Sequence, residues 1–223
     1  MVAATGKYTD FIPNLSNKLK IHCKIDYDLI VHTDNKDDSK LKNVDKIYYT
    51  KRLGFPYDSI HRYYNICHTN LNEYTHVIHV DADVDIIKDI PMYAFKDYVI
   101  GFRISPYANM ESAFENRKES MAYVAPSQRE YYIRGGLLIG STKSMRKLAC
   151  KCDKMYRTDQ KNNIMAKHHD ESYLNKYLTS IGGSKKLADF EYYFFSRPGE
   201  ITPNTVFVAL DKDHSIYQKP VKN

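Results

Sequence analysis

A chain of 223 residues is long enough for one large domain or two small ones, and for a substantial buried core. Its 33 basic and 27 acidic residues leave a formal charge of +6, which suits an anionic ligand, an acidic surface or an ordinary solvated face alike. No stretch approaches the roughly 20 apolar residues of a membrane-spanning helix, and residues 1–6 lack the basic and apolar regions of a signal peptide, so a soluble, cytoplasmic protein is expected.

The elements alternate along the chain. Residues 27–32 read as a strand that Thr33, Asp34 and Asn35 end in a turn, and residues 46–50 read as a second strand. From Asp58, an N-cap by residue type, Ile60, Tyr63, Tyr64, Cys67 and Leu71 recur at helical spacing. Residues 75–80 form a buried strand that runs straight into a group of acids, and residues 98–102 form another. Residues 105–128 have weak periodicity and read as an excursion of the kind that closes over a site. The apolar run 136–140, bounded by glycines, has the look of a central strand. A helix then carries Met145, Leu148, Ala149, Cys152, Met155 and Tyr156 on one face. Asp170 is placed to cap the next helix, whose stripe is Tyr173, Leu174, Tyr177, Leu178 and Ile181 and whose stop is Gly182-Gly183. Residues 206–210 form a late strand. This alternation predicts an α/β fold with a mostly parallel sheet. Without an export signal, Cys23, Cys67, Cys150 and Cys152 are expected as free thiols. Cys150 and Cys152, two apart in a helix, make a poor zinc half-site.

Two clusters carry the chemistry. Asp81, Asp83 and Asp85 follow a buried strand, where ligands of open α/β sheets collect. Two carboxylates with one residue between them can face the same side and offer hard oxygens to Mg²⁺ or Mn²⁺. The other reading is a pair of loop-capping or surface acids. His168, His169, Asp170, Glu171 and Ser172 open a helix, whose positive end favours both carboxylates. An ionised carboxylate there suits a nucleophile or a cation stabiliser; it equally suits a polar helix start. Gly135, Gly136 and Gly140 permit a ligand or a second backbone to approach. No phosphate-binding glycine-rich loop of the kinase type and no H-E-x-x-H pair occur.

Six stretches in this order resemble glycosyltransferase family 6, the family of the blood-group A and B transferases and the α-1,3-galactosyltransferase. They are Ala4-Thr5-Gly6-Lys7-Tyr8, Asp58-Ser59-Ile60-His61-Arg62, Val80-Asp81-Ala82-Asp83, Ala122-Tyr123, Tyr131-Tyr132-Ile133-Arg134-Gly135-Gly136, and His169-Asp170-Glu171-Ser172-Tyr173-Leu174-Asn175-Lys176-Tyr177. The last is the most specific and departs from the family only at Tyr173. The resemblance implies a single GT-A catalytic domain over residues 1–223, a Rossmann-like nucleotide-sugar-binding fold with a mixed, mostly parallel sheet. Its nucleotide-binding half falls at about residues 1–100, and its donor-sugar and acceptor half, with a closing carboxyl-terminal tail, at about 101–223.

The resemblance also implies the activity: retaining transfer of galactose or N-acetylgalactosamine from a UDP-sugar to a hydroxyl of a glycan acceptor, in α-1,3 linkage. On this reading Asp81 and Asp83 bind Mn²⁺, or Mg²⁺, and the UDP diphosphate. Ala3, Thr5 and Tyr8 hold uridine, Arg62 contacts the donor, and Lys212 closes on the diphosphate. Asp170 holds the donor sugar, Arg134, Gly135 and Gly136 set donor choice, and His168 and His169 meet the acceptor. Glu171 is the catalytic carboxylate. Departures fall on the acceptor side: His168 stands where the mammalian enzymes have tryptophan, Phe195 lies near an acceptor-contacting acid, and Gln218 and Lys219 lie near a tail arginine. Other readings are the same fold using UDP-glucose or acting as a UDP-sugar hydrolase, a metal-dependent phosphodiesterase using Asp81, Asp83 and Asp85, and a non-catalytic nucleotide-sugar-binding module. Nucleic acid is not an expected partner.

Overall fold

A computed structural model of the chain describes residues 1–103, 113–129, 131–181, 195–196 and 201–217. In chain order these form β1 (Val2–Ala3), a 3₁₀ turn (Gly6–Phe11), α1 (Ile12–His22), β2 (Ile30–Thr33), β3 (Lys46–Tyr49), α2 (Tyr57–His68), β4 (His76–Val80) and β5 (Val84–Ile86). They continue with β6 (Ile100–Arg103), β7 (Ile133–Ser141), α3 (Thr142–Lys161), α4 (His169–Ser180), β8 (Phe195–Ser196), β9 (Phe207–Ala209) and α5 (His214–Tyr217). The contacts among them divide the chain into two compact units, one of residues 1–58, 78–94 and 191–223, the other of residues 59–77 and 95–190. Among the described residues no helix is long and apolar enough to cross a membrane.

In the first unit β1, β2 and β3 form a small parallel sheet in that order. All four residues of β2 are buried, as a strand covered on both faces requires. α1 packs on β5 and buries Ile12, Leu15, Ser16 and Leu19, a run at helical spacing. Its Pro13 sits in the first turn, where a missing N–H breaks no helical bond. β5 pairs antiparallel with β9, and β9 parallel with β8. The α/β expectation therefore stands with a correction. In place of one mostly parallel sheet, this unit carries two short ones, because β9 returns from far along the chain and docks antiparallel on the strand that follows the acids.

In the second unit α2 buries Ile60, Tyr63 and Ile66. β7 runs to nine residues, longer than its apolar core, and pairs antiparallel with β6. Two glycines here serve packing. A Cβ on Gly140 would stand 2.9 Å from the Tyr98 carbonyl oxygen, and one on Gly101 would stand 2.5 Å from the Ile133 side chain. Ser141 caps α3 by accepting from the Ser144 backbone N–H. α3 and α4 pack on each other and on β7.

Three expectations are corrected in this unit. Cys67 and Cys150 are not free: they form a disulfide that ties α2 to α3, with their Cα atoms 5.0 Å apart. The pairing spans 83 residues of sequence, a distance at which spacing says nothing of proximity. Cys23 and Cys152 are free and buried. α4 starts at His169, with His168 in the cap position and no side-chain cap, so Asp170 is not the N-cap. The helix ends at Ser180, which leaves Ile181 off the buried stripe and 50% exposed. Gly182 and Gly183 lie outside the described residues, as do residues 105–112 of the expected excursion. The rest of that excursion is packed down. Phe114 and Val124 join Tyr132 in a buried cluster, and the buried Asp159 accepts from Ser120 Oγ at 2.6 Å and from Met121 N at 2.7 Å.

Candidate active site

The strongest constellation lies in the second unit, where α2, β7 and α4 meet. β7 presents Gly135, whose backbone bonds on both sides. Its N–H donates to Glu171 Oε1 at 2.9 Å, and its carbonyl accepts from Arg62 Nη1 at 2.8 Å. Asp170 Oδ2 lies 3.6 Å from Arg62 Nε. A Cβ on Gly135 would stand 2.7 Å from Asp170 Oδ2 and 3.3 Å from Glu171 Cγ. The space a side chain would fill is thus already taken by the Asp170 carboxylate and the Glu171 methylene chain, and glycine at 135 lets them approach. Tyr63, one residue after Arg62, donates its hydroxyl to the Asp170 carbonyl at 2.8 Å. Asn175, one helical turn after Glu171, pins the assembly. It accepts from Ile133 N at 2.8 Å and donates to Ile133 O at 2.9 Å and to Glu171 O at 2.8 Å.

These contacts set the electrostatics. Burial, and then the neighbouring Asp170 carboxylate, push Glu171 up to about 7. The Gly135 N–H, Tyr132 and Arg62 pull the other way and do not prevail. The residue keeps some solvent contact, while its carboxylate is crowded by protein. A carboxylate poised near neutrality can exchange a proton or act as a nucleophile in the same pH range. His168 and His169 are both held below the ordinary histidine value, chiefly by burial.

The first unit carries the other predicted cluster. Asp83 is buried, and its carboxylate is paired with the Lys212 ammonium. Lys212 also lies over the Tyr8 ring, 4.6 Å from its centroid. The Leu210 N–H bonds the Asp83 carbonyl at 2.8 Å, which places the tail two residues short of Lys212. Burial, and then the like charge of Asp81, push the Asp83 carboxyl up, against the pull of Lys212. Among the described residues no group of three or more His, Cys, Asp and Glu could hold a metal ion by itself. Two close, mutually repelling carboxylates do fit a hard divalent cation whose other positions go to phosphate oxygens and water. Asp85 takes no part: it stands 3.4 Å from Lys18 of α1 and accepts from Asn14 at 3.5 Å.

The other predicted residues are placed as follows. Ala3 lies in β1 opposite His32. Thr5 donates to Asp58 at 2.9 Å, and Asp58 also accepts from Leu53 N and Gly54 N at the start of α2. Arg134 lies opposite Phe102 on β6, and Gly136 is buried in β7. The His168 ring meets Tyr132 edge-on at 6.0 Å. The side chain of Phe195, and all of Gln218 and Lys219, lie outside the described residues. Tyr63, Tyr132 and Asn175 were not foreseen as site residues. The only sequence signal for Asn175 is an amide inside an otherwise apolar stripe, four residues after Glu171. An open hollow of about 690 Å³ against Tyr74, Thr142, Arg146 and Cys150 takes in none of the predicted site residues.

Comparison with known proteins bears on both clusters. The chain is 30% identical to the O-antigen biosynthesis glycosyltransferase WbnI of Escherichia coli, over 98% of this chain and 96% of that protein. It is 33% identical to the histo-blood group ABO system transferase 2 of Rattus norvegicus, over 70% of this chain and 49% of that protein. It is 29% identical to the human globoside alpha-1,3-N-acetylgalactosaminyltransferase 1, over 60% of this chain and 40% of that protein. Residues 59–215, a stretch that includes Arg62, both aspartates of the first cluster, Gly135, Glu171 and Lys212, match glycosyltransferase family 6, and the chain belongs to that family.

Proposed function

We propose that this protein is a retaining hexosyltransferase that moves galactose or N-acetylgalactosamine from a UDP-sugar to a hydroxyl of a glycan acceptor, in α-1,3 linkage and on a GT-A fold. The observation that carries this reading is the approach of Glu171 and Asp170 to the bare backbone of Gly135, with Arg62 beside them. The near-complete alignment with WbnI supports it.

Retention requires either two displacements or attack on the face that the diphosphate leaves. Glu171 serves the first as the nucleophile at the anomeric carbon, and the second as the anion opposing oxocarbenium charge. Asp170, fixed beside Arg62, receives sugar hydroxyls. Tyr8 stacks on the uracil side, and Lys212 neutralises phosphate oxygens. Asp81 and Asp83 hold Mn²⁺ or Mg²⁺, which when bound offsets the negative charge of the departing diphosphate. The test is a panel of UDP-sugars with Mn²⁺, with and without glycan acceptors, read as released UDP. Release from UDP-galactose or UDP-N-acetylgalactosamine, increased by an acceptor, is expected. No release from any donor, or release from UDP-glucose alone, overturns the assignment.

A further inference from the structure

The Tyr132 side chain is 1% exposed, and its hydroxyl oxygen is buried without a hydrogen-bond partner. A buried, unpaired hydroxyl costs about 1–3 kcal/mol, so this one calls for a reason. The ring cannot swing away to find water. Phe114 packs edge-on against it at 5.3 Å and 86°, and the His168 ring meets it from another side at 6.0 Å and 76°. Val124 completes the cluster. The remaining freedom is rotation of the O–H bond.

Glu171 is the carboxylate that acts most strongly on that hydroxyl, ahead of Asp170, and it lies three residues after His168, whose ring meets Tyr132. The other groups facing Glu171 are Asp170 on its own helix, Arg62 and Tyr63 from α2, and the Gly135 N–H from β7. Arg62 is committed to the Ser59 and Gly135 carbonyls, at 2.7 and 2.8 Å, and to Asp170. Tyr63 donates to the Asp170 carbonyl. Gly135 serves Oε1.

Resting on the transferase reading above, we propose that Tyr132 is the positioning residue for Glu171. Its hydroxyl donates to the second carboxylate oxygen when Glu171 ionises, and holds the carboxylate charged and in one orientation. No bond other than this hydrogen bond forms, and no proton leaves the tyrosine. The arrangement gives a buried hydroxyl a charged acceptor.

The experiment compares wild type with Tyr132→Phe, which removes one oxygen from a packed ring. Glu171 is followed by ¹³C-carboxyl NMR against pH in the absence of donor, and UDP release is followed in parallel. Removing a donor to the carboxylate is expected to raise the Glu171 midpoint by about one pH unit. The acid limb of kcat should move with it, and kcat below the midpoint should fall about tenfold with donor KM within about twofold. A purely structural tyrosine predicts a different outcome: a higher Tm, since an unpaired hydroxyl is gone, and an unmoved midpoint. An unchanged midpoint overturns the proposal. If wild type releases no UDP, the transferase reading falls, while the NMR comparison still decides the Tyr132–Glu171 link. Should Tyr132→Phe fail to fold, 3-fluorotyrosine placed at position 132 keeps the shape and strengthens the donor. It should lower the midpoint, and a rise or no change sinks the idea.

Discussion

Replacing Gly135 with alanine tests the proposed site with a single methyl group. Gly135 does not have the positive φ that would favour glycine on backbone grounds. A Gly→Ala change at a compatible backbone stabilises by about 0.4–1 kcal/mol through the unfolded chain, so a large loss must come from contacts. The new Cβ would meet Asp170 Oδ2 at 2.7 Å, Glu171 Cγ at 3.3 Å and Arg62 Nη1 at 3.6 Å. Ordinary contact begins near 3.4 Å, so Asp170 must retreat by roughly 0.7 Å. That movement disturbs the Arg62–Asp170 pair and the 2.9 Å bond from Gly135 to Glu171. Displacing reacting groups by about 1 Å costs on the order of 100-fold in rate, and overpacking costs about 1–3 kcal/mol of stability. Gly140→Ala supplies the control. Its Cβ would strike the Tyr98 carbonyl at 2.9 Å, a backbone clash away from both carboxylates. Both variants should melt earlier than wild type. At a temperature where all are folded, Gly135→Ala should lose about 100-fold in kcat/KM for the UDP-sugar, and Gly140→Ala should stay within about threefold. Wild-type kcat/KM in Gly135→Ala would refute the claim that these three side chains act from the positions seen.

Three further outcomes are expected. Glu171 sits at about 7 against an ordinary 4.5, so the folded protein keeps a proton that the unfolded chain loses. The contribution of Glu171 to stability should therefore be fully present below pH 4.5, shrink by about 3 kcal/mol as pH rises to 7 and level off above it. Urea melts of Glu171→Gln should lack that fall while kcat drops by about 10²–10⁴, and near-wild-type transfer by this variant would rule out its catalytic role. Asn175→Ala strands Ile133 N and Ile133 O, at 2.8 and 2.9 Å from the amide, and removes the extra bond to Glu171 O at 2.8 Å; a loss of about 3 kcal/mol in urea unfolding is expected, and a loss below about 1 would show that water replaces the amide freely. Excess EDTA should abolish UDP release and Mn²⁺ should restore it, whereas full activity in EDTA would remove the metal role from Asp81 and Asp83.

Local patterns were legible where the backbone has a period. The stripe of α4 and the buried run of β7 follow from spacing alone, because one face of each element must leave water. The stripe expected for α2 holds only at Ile60 and Tyr63: Asp58 lies inside the helix, Tyr64 and Cys67 are half-buried, Leu71 lies past its end, and Arg62, Asn65 and Ile66 are buried instead. α1 was hidden by Pro13, which reads as a breaker until its place in the first turn is known. β5 was hidden because Asp83 and Asp85 drew attention to their carboxylates, while Val84 and Ile86 carry the burial. Long-range pairings were illegible for a different reason. Nothing in the composition around Lys212 says that it reaches back 129 residues to Asp83, and nothing near Cys67 points to Cys150. The role of the Tyr63 hydroxyl is not legible in the sequence, where a tyrosine in an apolar stripe reads as core. Its ring is core, yet its oxygen supports the Asp170 backbone.

The two carboxylates at the start of α4 show what sequence order alone cannot assign. Asp170 and Glu171 share a helix end, a dipole and nearly the same chemistry. The partners brought by other elements separate them. Arg62 from α2 stands beside Asp170, while Glu171 accepts from the Gly135 N–H and has the Tyr132 hydroxyl as its proposed second donor. The direct contacts divide their tasks: Arg62 pairs with Asp170, while its pull on Glu171 is weaker than that of the Gly135 N–H. Asp170 is suited to holding hydroxyls, and Glu171 to changing its charge during a reaction. Exchanging the two residues would keep the composition and the helix start, yet it would put the longer side chain against Arg62 and withdraw the shorter one from Gly135. The double variant Asp170→Glu with Glu171→Asp should therefore be inactive although folded. Retained transfer would show that the pair acts as a pool of charge and not as two distinct groups.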